Sequence, residues 1–225
     1  MTWWKRLVWG SCAFLALGLY VLPMLFQQVA ITYQFPKQWT IGLGLLLIFL
    51  VWLVFVVAAK KTGILSPSGK IFQKGDGKRI ALGLFGMLLI SVLGTVLLRW
   101  LHGEVTTANQ ASLMEEFRRG DIILLSIMLG VLAPIAEEII FRGIIPLKIF
   151  KGYESWGYII GGLLFAIFHG PTNIMSFVIY GGASVILTLL ACRTRRLEVS
   201  IAVHMLNNGL PAILMLLITI FGVEV

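Results

Sequence analysis

Glu137, Glu138, Arg142, His169, His204 and Asn208 combine reactive chemistry with surroundings that should reject them. Each falls in a stretch that is otherwise almost wholly apolar. If those stretches lie in a bilayer, an ionised group at its centre costs about 2.5–3.5 kcal/mol on insertion scales. Such groups persist where they face a bundle interior and act there.

On a helix, Glu138 and Arg142 are four residues apart, so they stack on one face and can pair. Glu137 is rotated about 100° from Glu138 and is left to face a different cavity. Two adjacent carboxylates with one cation therefore have unequal surroundings: one is neutralised, and the other is a candidate general base. The bland alternative is an ion-paired kink helped by Pro134. Phe165 shares a helical face with His169, and its ring can pack beneath the imidazole, although a histidine at a helix end also serves structure alone. His204 and Asn208 are one turn apart and project together. Imidazole plus carboxamide makes a sensible pair of donors for a developing oxyanion. The competing reading of these two, with Asn207 beside them, is interhelical hydrogen bonding.

The elements that carry these groups follow from composition. Of 225 residues, 59% are hydrophobic and 12% charged, with a mean hydropathy of +0.95. A soluble domain carries about 25% charged residues, so the solvent for most of these side chains is lipid. The expected fold is all-α, a polytopic transmembrane helical bundle without a separate soluble module. The net charge of +8 comes from basic residues between apolar runs, which suits anionic lipid headgroups rather than nucleic acid. Cys12 and Cys192 form no metal or disulfide framework.

A spanning helix needs about 20 apolar residues. Such runs occur at Leu7–Phe26, Ile41–Ala59 and Ala81–Leu98. A fourth follows Asp121, a plausible N-cap, and reaches Ile149. A short fifth runs from Trp156 to His169 and stops at Gly170-Pro171. The sixth covers Thr172–Cys192, and the last starts at Val199 and ends near Val223. These make about seven spans, three in residues 1–121 and the rest in a catalytic region, 122–225. The first run is too long for the core of a signal peptide and reads as a retained anchor. Lys148 near a span end can snorkel, and His102 fits a headgroup-level position.

With the N-terminus in the cytosol, the inner segments hold Lys5, Arg6, Lys60, Lys61, Lys70, Lys74, Lys78, Arg79, Lys148, Lys151, Arg193, Arg195 and Arg196. The outer ones hold Lys37, Arg99, Arg118 and Arg119. The bias satisfies the positive-inside rule. Counting inward at about 1.5 Å per residue puts His204 roughly 8 Å deep, Glu137 roughly 18 Å and His169 roughly 20 Å. The Gly-Pro break then falls at membrane depth, where it must line protein or a watery cavity.

The ordered set EExxxR (Glu137, Glu138, Arg142), FxxxH (Phe165, His169) and HxxxN (His204, Asn208) resembles the CPBP intramembrane protease family, from about Ile122 to Leu217. That family includes the CAAX prenyl endopeptidases and the bacterial Abi or bacteriocin-immunity proteins. The resemblance implies an intramembrane endopeptidase acting on a membrane protein or peptide, in CAAX-type processing or bacteriocin self-immunity, in the plasma membrane of a bacterium. By resemblance, Glu137 and His169 activate water, His204 and Asn208 stabilise the oxyanion, and Glu138, Arg142 and Phe165 support them. Members have also been described as metalloproteases, in which case Glu137, His169 and His204 supply three zinc ligands. Metal-free glutamate catalysis is preferred, because a metal-bound Glu137 could not be the base and Glu138 is occupied by Arg142. The decoy Glu115-Glu116-Phe117-Arg118-Arg119 has the wrong spacing and is expected in a polar loop. Two other classes stay open: a non-catalytic immunity or scaffold protein, and a proton or ion carrier, which would want polar groups through the full depth.

Overall fold

The computed structural model describes residues 1–66 and 71–221, all helix and connection with no strand among them. Lys70, expected in an inner segment, lies outside the described residues, as does Val223 at the end of the last span. The helices are α1 (Trp3–Thr32), α2 (Lys37–Lys61), α3 (Asp76–His102), α4 (Ala108–Arg119), α5 (Ile122–Ile149), α6 (Glu154–Phe168), α7 (Ile174–Thr194) and α8 (Glu198–Ile220). All but α4 and α6 are long and apolar enough to cross a membrane, and α6 is the short apolar helix that the sequence places fifth. The bundle of about seven spans is therefore present. Most helices overrun their apolar runs, because lipid offers the backbone no partner and every amide must be closed inside the helix. Lys60 and Lys61 end α2 in this way, where their charge complements the carbonyl end of the helix.

One expectation fails. Residues 108–119, read as polar loop, form α4. Thr107 caps its first turn by accepting from the Gln110 amide. Glu115 pairs with Arg119 at 2.6 Å and with Arg118 at 3.8 Å along the last turns. The cap and the one-turn charge pairs support a helix whose short apolar side, Leu113 and Phe117 one turn apart, turns inward. The decoy is thus helical, and its Glu116 accepts a hydrogen bond from Gln28 of α1 at 2.6 Å.

At the centre stands α5. Asp121 caps it by accepting from the amides of Ile123 and Leu124. Its hydrogen bonding widens to the π form at Met128–Leu132 and again over Ile139–Ile149. Proline explains both places: each ring lacks a donor and collides with the carbonyl four residues earlier. For Pro134 that carbonyl belongs to Gly130, inside the first wide stretch, and for Pro146 it belongs to Arg142, inside the second. Every residue from Leu132 to Pro146 is buried, Glu137, Glu138 and Arg142 included, as befits a helix surrounded by its neighbours.

Close packing brings α6 onto α5. A Cβ at Gly161 would meet the Phe141 carbonyl oxygen, and one at Gly157 would meet the backbone of Pro146. Small residues of this kind let membrane helices approach closely. The approach carries the C-terminal end of α6, and with it His169, to the middle of α5.

Polar groups collect at the two ends of the bundle. At one end Arg6 donates to the carbonyls of Ile149 (2.6 Å) and Lys151 (3.0 Å). Lys148 donates to the Thr62 carbonyl, and Arg196 pairs with the buried Asp76 at 2.6 Å. At the other end Asn173 donates to Glu104 at 3.0 Å, and Thr107 meets Tyr180 at 2.6 Å. The segments assigned to one side of the bilayer by their charge thus share one end.

Candidate active site

Arg142 is the largest fully buried side chain among the described residues, and each of its nitrogens is engaged. Nη1 pairs with Glu138 Oε1 at 3.1 Å; Nη2 donates to the hydroxyl of Ser184 at 2.7 Å and to its carbonyl at 3.1 Å; Nε reaches Thr188 at 3.4 Å. The guanidinium also lies 4.2 Å from the centre of the Phe165 ring. A buried cation survives in this way: its charge is paired and its donors are spent.

Glu138 Oε1 also accepts from His204 Nδ1 at 3.1 Å. A carboxylate has no proton to give, so Nδ1 is the donor and His204 presents Nε2 to its other side. That Nε2 stands 3.8 Å from Glu137 Oε2. His169 repeats the arrangement: its Nδ1 donates to the Phe165 carbonyl at 2.8 Å, and its Nε2 stands 4.0 Å from the same oxygen. Both gaps exceed a direct hydrogen bond and match the spacing at which one water bridges two polar atoms. Among the described residues, Glu137 Oε2 has no hydrogen-bond partner, and neither does Glu138 Oε2. The carboxylate at 137 and both imidazoles therefore converge on one point, as the helical-face reading expects.

The aromatic setting fixes the rings. Phe165 lies 4.5 Å from the His169 ring and 5.6 Å, edge-on, from that of His204. Tyr180 of α7 stacks on the other side of His169 at 4.5 Å and 25°, and its hydroxyl is held by Thr107. Asn208 accepts a hydrogen bond from Asn207 at 3.1 Å. No bond among the described residues ties Asn208 to Glu137, His169 or His204; it sits one turn beyond His204, partly buried.

Two groups escaped the reading of spacing. Tyr20 of α1 donates to Glu137 Oε1 at 3.0 Å, and Tyr180 clamps His169. A tyrosine hydroxyl in an apolar run does announce a need for a partner; which partner it finds depends on how the helices pack.

The zinc alternative can be tested on the donor set. Ligand atoms around tetrahedral zinc stand about 3.4 Å apart, given metal–ligand distances near 2.0–2.2 Å. The carboxylate–imidazole spacings are 3.8 and 4.0 Å, and among the described residues no three His, Cys, Asp or Glu side chains have metal-holding geometry. The three groups as placed do not fit the ion.

Spanning-length helices around a buried carboxylate and two imidazoles define the class: an integral multi-pass membrane protein with titratable side chains gathered in its interior. Residues 119–210 match the family described as Type II CAAX prenyl endopeptidase Rce1-like, and that segment contains all the residues of the three motifs. The chain is 29% identical to UPF0177 protein YvdC of Lactococcus lactis subsp. lactis (strain IL1403) over 188 residues, 83% of this chain and 70% of that protein. It is 32% identical to the membrane-embedded CAAX protease MroQ of Staphylococcus aureus (strain USA300) over 139 residues, 58% of this chain and 54% of that protein. The match thus spans about half of the second relative's length. No solved structure matches significantly.

Proposed function

We propose that this chain is an intramembrane endopeptidase that hydrolyses a peptide bond in a membrane-associated protein or peptide by metal-free glutamate catalysis. The carrying observation is the buried, unpartnered Oε2 of Glu137 facing two imidazole Nε2 atoms at 3.8 and 4.0 Å. A water in that gap gives a proton to Glu137, with His169 orienting it, and its oxygen attacks the scissile carbonyl carbon. Negative charge moves to the carbonyl oxygen. Protonated at Nε2, His204 donates to that oxyanion, with the Asn208 amide as the second donor. Its Nδ1–H stays on Glu138, which keeps the ring in register. As the C–N bond breaks, the proton taken up by Glu137 passes to the leaving amine. The products are a carboxyl and an amine, and Glu137 is again ionised.

The MroQ and family names support a CAAX-type substrate, cut from the cytosolic side if the basic end of the bundle faces the cytosol as the positive-inside rule directs. Self-immunity to a bacteriocin is an alternative use of the same activity. A zinc-dependent version needs Glu137, His169 and His204 to close by about half an ångström to reach ligand spacing; stoichiometric zinc whose removal abolishes cleavage would establish it. The decisive experiment compares membrane proteomes of cells carrying wild-type and Glu137→Ala protein. Uncut substrates should accumulate in the variant. Identical proteomes, with the variant folded and in the membrane, would favour a non-catalytic immunity or scaffold role.

A further inference from the structure

A cavity of about 1120 Å³ lies on the flank of the bundle between α6 and α7, on residues other than Glu137, His169 and His204. Its wall on α6 is the row Glu154, Tyr158, Gly162 and Ala166; its wall on α7 runs from Val178 through Gly181 and Val185 to Arg195. At about 1.5 Å per residue these walls are roughly 18 and 26 Å long. One leaflet contributes about 15 Å of hydrocarbon, so the groove is as deep as a lipid chain is long. Ile159 and Val185, 54% and 58% exposed, stand at its lips and face the bilayer.

The polar groups of the groove are unevenly distributed. At its basic end Glu154 is engaged by the Gly152 amide, and Arg196 by Asp76. Arg195, exposed and held at a positive φ of 53° where α7 ends, makes no ion pair among the described residues. Deeper in, the hydroxyls of Ser184 and Thr188 are already used by Arg142. An extended peptide lying here would need backbone hydrogen-bond partners that glycine, valine and leucine side chains do not supply. An acyl chain needs none.

We propose that this groove binds one anionic glycerophospholipid, with an acyl chain between α6 and α7 and its phosphate at Arg195. The occupant then lies one layer of hydroxyls, those of Ser184 and Thr188, from the Arg142–Glu138 pair. The inference stands on the groove and its charge, apart from any peptidase activity.

Full-length protein in mild detergent is offered phosphatidylglycerol or phosphatidylcholine, and retained lipid is counted by native mass spectrometry. Wild type should keep one phosphatidylglycerol in preference. Arg195→Gln should lower that preference about fivefold, the factor for one basic group at an anionic surface. Val185→Trp, filling the groove from an exposed lip, should remove retention of both lipids at unchanged melting temperature. Glu137→Gln should keep the lipid, which separates this test from that of catalysis. Equal retention of the two lipids, indifference to both groove variants, or a co-purifying peptide in place of lipid would overturn the assignment.

Discussion

Glu137 and Glu138 are neighbours in the chain and occupy two different regions of the molecule. On the Glu138 side, one carboxylate oxygen holds both Arg142 and His204, and Arg142 spends its remaining donors on Ser184 and Thr188. On the Glu137 side there is a single donor, Tyr20, and then a gap bounded by two imidazoles. Both regions are buried and each carboxylate leaves its Oε2 without a partner among the described residues, so the difference lies in what the other oxygen holds and in the two imidazoles that face Glu137. A rotation of about 100° along one helix is enough to separate them. The crowded side holds α5 to α7 and α8. The sparse side keeps unspent capacity where a reacting water and carbonyl need it, and such a buried, unpartnered acceptor calls for an occupant.

The contrast predicts opposite outcomes for two conservative substitutions. Glu137→Gln removes the base while keeping shape, and cleavage of a substrate found by the proteomic comparison should fall by about 10²–10⁴-fold. Its melting temperature in detergent should stay close to wild type, since the amide keeps the shape of the side chain and its oxygen can still accept from Tyr20. Arg142→Met acts on the other region. It leaves buried Glu138 without its guanidinium, held by His204, at a cost of up to about 3–5 kcal/mol, read as a large drop in melting temperature. If Glu137→Gln unfolded the protein and Arg142→Met did not, the assigned roles of the two regions would be reversed.

Much of this contrast is legible in the sequence, and what is not has physical reasons. Uncharged runs of spanning length are unmistakable, so the helices fall where hydropathy puts them. The four-residue spacing of Glu138 and Arg142 requires only a helix to become a pair. His169 and His204 stand out because lipid excludes them, and chain order matches them to a family. Three things resisted. Helix α4 is stabilised by a cap and by charge pairs, and its apolar side is short, Leu113 and Phe117 in an otherwise polar stretch. The π turns of α5 need both prolines and the neighbours that hold the widened backbone. Tyr20 lies more than a hundred residues from its partner, Glu137, and α1 carries no motif, so only packing reveals the bond.

A third test concerns how the two regions are brought together. Gly161→Ala places a methyl group against the Phe141 carbonyl and should push α6 off α5. Overpacking of this kind costs about 1–3 kcal/mol, seen as a moderate loss of melting temperature. Because His169 rides on the end of α6, cleavage should fall further than stability alone explains. Equal proportional losses would mean that the α5–α6 contact serves the fold and leaves the geometry of the gap untouched.

The smallest effect, and the one that bears most directly on the contrast, belongs to Tyr20→Phe. The hydroxyl occupies Oε1 of Glu137 at 3.0 Å, so the oxygen left facing His169 and His204 is Oε2. Removing it forfeits one hydrogen bond to a charged acceptor, worth about 1.5–3 kcal/mol at most and less if water enters. The ring stays in place against Phe168, 6.2 Å between centroids, so melting should shift little. If Tyr20 positions the base, the turnover rate should fall about tenfold or somewhat more while the Michaelis constant holds, because substrate does not touch this hydroxyl in the proposed reaction. Tyr20→Leu should lose the aromatic contact as well and lower melting visibly, which separates positioning from packing. A Phe variant with unchanged turnover would mean that Glu137 finds its orientation without α1, and the sparse region would then be built wholly from the family-matched segment.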